Sequence, residues 1–177
     1  MDYPWPTALI GAIRVPLHGG PASPRPNSIL WMQDMPRPRI EDPMSRNLIA
    51  VVATLLSMGA LDALWLTTMT SRLYRRELPD LLLETPRWAP AIGFYLLYAG
   101  GTVILVVLPA LDHGWSIPRA MLTGALLGLV AYGTYDLTNH ATMRGWSSAV
   151  TVVDMAWGAT LTAVVVTVAV TAARRFA

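Results

Sequence analysis

The sequence predicts an all-α integral membrane protein, an up-down bundle of four helices with a short interfacial helix after the first span. Three observations support this fold class. The 177 residues are 54% hydrophobic and 14% charged, which is more apolar than an ordinary soluble domain. Four segments are long enough to cross a hydrocarbon core of about 30 Å, and the arginines gather between them. These segments lack the alternation of barrel strands, so helices must satisfy their backbone groups in lipid.

The four predicted spans cover residues 47–68, 88–110, 119–141 and 149–172, within a membrane domain at 47–177. The second and third connections are short, which is typical of antiparallel neighbours. The first connection is longer and carries several arginines and leucines. Its leucines at 73, 78, 81, 82 and 83 predict the short interfacial helix, interrupted near Pro79. Arginines are divided almost evenly between the two sides, so they do not decide the orientation.

Residues 1–46 differ in composition from the rest of the chain, since they hold nine of the 14 prolines. This composition predicts a disordered tail. It does not predict a signal peptide, because prolines interrupt every apolar stretch. The alternative is that translation starts at Met44 and that the tail is not part of the protein.

Composition also limits the classes of function. The chain has no cysteine, which excludes disulfides, thiolate metal ligands and cysteine nucleophiles. A net charge of +2 is too weakly basic to indicate nucleic-acid binding, and arginines beside membrane spans account for it. All 13 basic residues are arginine. This lysine-free usage, rich in Ala, Val and Leu, suggests a GC-rich bacterial genome.

Three carboxylates lie inside the predicted spans: Asp62, Asp136 and Asp154. Inserting a carboxylate at the centre of a membrane-spanning helix costs about 2.5–3.5 kcal/mol, so each of these acids is expected to have a structural or functional role. All three lie about five or six residues from a helix end on the side of the first and third connections. At 1.5 Å per residue they share one layer, roughly 8 Å below that surface. The sequence therefore predicts a site built from several helices, with these acids as its candidate catalytic groups.

Aromatic and amide side chains converge on the same layer and form the predicted ligand-binding set: Tyr95, Tyr98, Tyr132, Tyr135, Asn139, Trp65 and Trp157. In the third span a stripe at i, i+4 spacing changes from small residues, which allow close helix packing, to polar ones. It consists of Ala120, Gly124, Gly128, Tyr132, Asp136 and His140. In the first and fourth spans the spacing D-x-x-W puts an acid and an indole one turn apart, as Asp62 with Trp65 and Asp154 with Trp157.

Several of these segments together resemble a known family. They are "LDALWL", "FYLLYAGG", "LPAL", "GALLGLVAYGTYDLTNHAT" and "VDMAWG". The set resembles small bacterial inner-membrane proteins catalogued as domain of unknown function 2177, over about residues 47–172. The Tyr-Asp-Leu-Thr-Asn core at 135–139 is the most specific element. The resemblance implies a fold and a location, and it brings no activity with it.

Three functional hypotheses remain open. The polar layer could be a structural cluster that fixes helix packing in a membrane scaffold or subunit. It could be the site of an enzyme that acts on, or a protein that binds, a lipid or isoprenoid-type ligand. In that case a divalent metal could bind Asp62, Asp136, Asp154 and His140, or an acid could serve as general base. It could also belong to a proton- or cation-coupled carrier, which would require a homodimer because four spans are few.

Overall fold

The computed structural model describes residues 43–177, and this part of the chain is almost entirely helical. It holds four helices long and apolar enough to cross a membrane, which confirms the predicted bundle. They are α1 (Pro43–Glu77), α2 (Trp88–Asp112), α3 (Ile117–Thr142) and α4 (Ser148–Phe176). The predicted proline-rich tail lies outside the described residues apart from its last four. Those four begin α1, and the start at Met44 stays a prediction.

The first helix is longer than the sequence indicates. A π-helical turn at Thr70–Tyr74 and one α-helical turn at Arg75–Glu77 carry α1 beyond the predicted end at 68. Residues 78–87 form turns, bends and irregular chain. The segment predicted as a separate interfacial helix is therefore divided, because its first half continues α1 and its second half is not helical. Pro79, which has no backbone N–H to donate, lies two residues after Glu77, the last helical residue.

Contacts at both ends of the bundle establish the up-down topology. At one end Arg46, near the start of α1, pairs with Asp112 at the end of α2. At the same end Arg174 of α4 donates to the carbonyl oxygens of Ala110 and Trp115, at 3.1 and 2.7 Å. At the other end the Ser147 hydroxyl, before α4, donates to Glu77 Oε2 at 2.8 Å. The first and third connections therefore lie on one side of the membrane.

The fourth helix is the centre of the bundle and packs mainly against α3 and then against α1. The half of the core near the second connection is apolar and is built from small and branched side chains such as Val106, Val107, Val166 and Val170. Buried carboxylates in the described residues occur only toward the opposite end, at Asp62, Asp136 and Asp154. The bundle thus has an aliphatic half and a polar half.

Glycines bring α3 and α4 into close contact. A Cβ placed on Gly128 would come within 2.0 Å of the Gly158 carbonyl oxygen, and one on Gly158 would come within 2.3 Å of the Tyr132 ring. Ala120 and Gly124 are buried on the same face of α3. The small-residue stripe predicted from the sequence is therefore the surface on which α4 lies, as expected where van der Waals packing drives helix association in lipid.

We predict that Gly128→Ala destabilises the bundle by about 1–3 kcal/mol, because the added methyl group meets backbone atoms that cannot turn aside. Gly101→Ala is the matched control, since nothing lies within 4 Å of a Cβ at that position. Thermal unfolding of both variants in detergent micelles measures the difference. Equal melting temperatures for the two variants would show that the α3–α4 contact accommodates the methyl group without cost.

Candidate functional site

The two D-x-x-W pairs meet in the bundle, and each indole is linked to the acid of the other helix, one of them through Tyr74. Trp157 Nε1 of α4 donates to Asp62 Oδ1 of α1 at 3.0 Å. In the other direction Trp65 Nε1 of α1 donates to the Tyr74 hydroxyl at 2.9 Å, and that hydroxyl donates to Asp154 Oδ1 of α4 at 2.5 Å. The Trp65 and Trp157 rings stack between the two acids, with centroids 4.2 Å apart and planes 7° from parallel. We call these five residues the Asp–Trp cluster.

The π turn explains how Tyr74 completes this cluster. Tyr74 lies nine residues after Trp65, which is about two and a half turns of a regular α-helix, so the two side chains would lie on opposite faces. A π turn accommodates one extra residue, which rotates the remainder of the helix by about 100°. Tyr74 ends the π turn at Thr70–Tyr74 and is thereby brought toward Trp65 and Asp154.

Asp136 differs from the other two acids. Its side chain is 0% exposed, and neither carboxylate oxygen has a hydrogen-bond partner in residues 43–177. Asp154 and Tyr74 are close enough to interact with it electrostatically. A buried polar group without a partner costs stability. Asp136 therefore lies beside the Asp–Trp cluster without being held by it.

A cavity of about 630 Å³ opens beside the cluster, on the side of the first and third connections. Its apolar wall includes Leu66, Leu78, Leu82, Leu83 and Val150. Tyr74, Asp154, Arg75 and Glu84 supply its polar wall. We call it the interfacial cavity, since Asp154 lies only two turns below the start of α4. Its volume is that of an ordinary small-molecule site.

The tyrosines of the predicted ligand-binding set lie in different surroundings. Tyr95 of α2 interacts with the Asp62 carboxylate. The Tyr98 hydroxyl lies 2.6 Å from Thr162 Oγ1, and its ring packs edge-on against Tyr132. These two rings help to close the α2–α3–α4 junction. Tyr98 and Tyr132 therefore contribute packing in the described structure.

Tyr135 and Asn139 lie nearer the membrane surface. The Tyr135 ring lines the interfacial cavity, is 60% exposed and packs edge-on against Trp146 at 5.6 Å. The half-buried Asn139 side chain interacts with the Tyr135 hydroxyl. Tyr135 is thus in a position to contact a ligand, with Asn139 behind it.

The structure does not bring the four predicted metal ligands together. No group of three or more His, Cys, Asp or Glu side chains within residues 43–177 is arranged to hold a metal ion. His140 lies 3.2 Å from Ser148 Oγ and 3.4 Å from Thr151 Oγ1, so it bridges α3 to the start of α4. Asp62 and Asp154 are engaged by Trp157 and Tyr74. This arrangement gives the metal hypothesis no support, because Asp62, Asp154 and His140 already bond to side chains of the bundle.

Sequence reasoning missed two polar residues of the site, Tyr74 and Arg75. Both lie in the charged stretch "SRLYRRE" at the start of the predicted interfacial helix, where arginines beside a span are common and do not indicate a site. The register of a regular helix also directs Tyr74 away from Trp65. The leucines that follow this stretch, within residues 78–83, were the available signal, and they line the interfacial cavity.

Comparison with known protein families gives a match over most of the membrane domain. The profile of a family described as "Predicted membrane protein (DUF2177)" matches residues 47–171, which include every member of the Asp–Trp cluster and Asp136. No curated protein and no solved structure matches the chain.

We predict that Asp62→Asn lowers the free energy of unfolding by about 1 kcal/mol, because a neutral oxygen accepts the indole N–H more weakly than a carboxylate does. The same isosteric change at Asp136 should leave stability unchanged or raise it, since no donor in the described residues is lost. Denaturant titration in mixed micelles measures both variants. If Asp136→Asn destabilises as much as Asp62→Asn, Asp136 has a partner within the protein.

Proposed function

Because the chain belongs to the DUF2177 family of predicted membrane proteins, we propose a function within the bilayer: the protein binds a phosphate-bearing lipid in the interfacial cavity. The bacterial inner membrane is the location that we propose for it. The observation that carries this proposal is the composition of the cavity wall, where leucines adjoin Tyr74, Arg75 and Asp154.

The two kinds of wall fit the two parts of a lipid. The leucines of residues 78–83 present an apolar surface on which hydrocarbon can pack, and most of them are exposed. The Arg75 guanidinium is a donor of the geometry that phosphate accepts. One oxygen of Asp154 already accepts from Tyr74. A carboxylate has a second oxygen that can accept from a hydroxyl group of the lipid.

The three acids proposed as catalytic groups lie at different positions relative to the interfacial cavity and hence to this ligand. Asp154 lines the interfacial cavity and would adjoin the bound head group. Asp62 lies on the other side of the stacked indoles. Asp136 is fully buried. If the protein acts chemically on its lipid, we expect Asp154 to be the acid that contacts it.

A structural role is the second candidate function, and the Asp–Trp cluster favours it. Both acids of the exchanged pairs accept hydrogen bonds from side chains of this chain, which is what a packing cluster requires. A carrier has less support, since buried carboxylates in the described residues are confined to one half of the bundle.

We predict that Leu82→Trp abolishes most lipid binding, because the indole would occupy the cavity that Leu82 lines. Leu122→Trp is the control, since Leu122 is an exposed leucine of α3 outside the lining of the cavity. Native mass spectrometry of protein released from nanodiscs counts the bound lipid. Equal lipid adducts in the two variants would contradict lipid binding in this cavity.

We predict that Arg75→Gln weakens the preference for anionic over zwitterionic phospholipid about tenfold, equivalent to about 1.4 kcal/mol for one charge-assisted contact. Arg72→Gln removes the same charge from a neighbouring exposed residue that does not line the cavity. Competition between phosphatidylglycerol and phosphatidylcholine in mixed nanodiscs measures the preference. A loss of equal size in both variants would indicate general attraction to the membrane surface and not a site at Arg75.

A further inference from the structure

A second cavity, of about 720 Å³, lies between α1 and α2. We call it the α1–α2 groove. Its walls are apolar and include Leu55, Met58, Leu66 and Phe94. Contact between α1 and α2 is far less extensive than contact between α3 and α4. Leu55, Leu66 and Phe94 are each at least 40% exposed, so the groove is open to the surrounding bilayer.

The groove has the length of one leaflet. Leu55 and Leu66 are eleven residues apart on one helix, which corresponds to about 16 Å along the axis. That distance is roughly half of a hydrocarbon core of about 30 Å. Trp88, at the start of α2, lies at the end of the groove nearest the first connection and is 70% exposed. The groove therefore runs from the interface to the middle of the bilayer, as a hydrocarbon chain of one leaflet does.

The groove and the interfacial cavity are adjacent. Leu66 and Pro86 line both of them. A lipid held at Arg75 can thus extend across these two side chains into the groove. It can enter sideways from the bilayer, without passing through the helix bundle.

Two polar side chains in the lining of the groove indicate which type of lipid chain it accepts. Asp62 and Tyr95 are both in its lining. Asp62 is about one turn deeper than Leu66, or about 6 Å. The carboxylate already accepts from Trp157. The Tyr95 hydroxyl, which interacts with Asp62, is a polar group on an otherwise apolar wall. An ester group near the head end of an acyl chain would meet this point, whereas an isoprenoid chain is hydrocarbon throughout.

From these observations we infer that the α1–α2 groove is a binding site for an acyl chain, and that the lipid held by the interfacial cavity is an acyl-ester phospholipid. The head group lies at Arg75 and Asp154, and one acyl chain passes Leu66 and Pro86, meets Tyr95 and ends near Leu55. This inference rests on the proposed lipid binding and specifies the class of the lipid.

The test uses Gly59→Leu, which fills the groove. Gly59 lines the groove, and nothing lies within 4 Å of a Cβ placed there, so a side chain at this position begins in open space. Gly93→Leu is the matched control, because Gly93 also has open space but is not in the lining. The full chain is reconstituted in phosphatidylcholine nanodiscs that contain phosphatidylglycerol with a photoreactive group at the end of one acyl chain.

We expect the wild type and Gly93→Leu to be labelled at Leu55 and Met58 after irradiation. In Gly59→Leu the labelling should fall by about tenfold, as loss of contact with two methylene groups would produce. The Arg75-dependent preference for phosphatidylglycerol should persist in a reduced form. If that preference persists and the labels at Leu55 and Met58 are unaffected by Gly59→Leu, the acyl-chain site is overturned while lipid binding stands.

Two further outcomes are decisive. A polyprenyl phosphate with the same terminal photoreactive group competes directly with the glycerolipid probe. If it labels Leu55 and Met58 more efficiently, the groove accepts an isoprenoid chain and the acyl-ester assignment is wrong. If the wild type shows no Arg75-dependent lipid preference and no labelling, the proposed function and the acyl-chain site fail together.

Discussion

Two of the three buried carboxylates receive a hydrogen bond from an aromatic side chain of another helix, and these contacts organise the polar half of the bundle. Asp62 and Asp154 obtain theirs from aromatic side chains, an indole N–H and a phenol O–H. Such donors combine a large apolar surface with one polar atom, so they suit an interior surrounded by lipid. The exchange between α1 and α4 places both indoles in one stack. The position of α1 on α4, the turn that carries Tyr74 and the walls of both cavities depend on that contact.

The polar half also separates two environments for a ligand. On one side of the stacked indoles Asp154 and Tyr74 face the interfacial cavity, and on the other Asp62 and Tyr95 face the α1–α2 groove. Arginine and leucine side chains after the π turn complete the first environment, and α2 completes the second. The sparse packing of α2 on α1 is therefore what forms the groove, because a tighter contact would close it.

The features of the fold and of the site that a local residue pattern encodes could be predicted from the sequence, and the features that depend on contacts between helices could not. Uncharged segments defined the four helices, and the small residues of α3 identified the face that contacts α4. Depth along each helix was enough to expect that Asp62, Asp136 and Asp154 would lie near one another. The hydrogen-bond partners of the acids could not be predicted in this way. The exchange of Trp65 and Trp157 depends on helix rotation, and the role of Tyr74 depends on a π turn, which residue periodicity does not reveal. His140 was one of the candidate metal ligands, and in the structure hydroxyl groups at the start of α4 lie within hydrogen-bond reach of it.

The π turn also limits how the chain can change in length. Outside the interval between Trp65 and Tyr74, a change in chain length leaves the spacing of these two side chains unaltered. Between Trp65 and Tyr74 the situation is different, because one residue more or fewer would turn Tyr74 by about 100° away from Asp154. Insertions and deletions should therefore be absent from this short interval in proteins that keep the Asp–Trp cluster, while substitutions on its exposed face are tolerated. The number of residues there, and not only their identity, is part of the site.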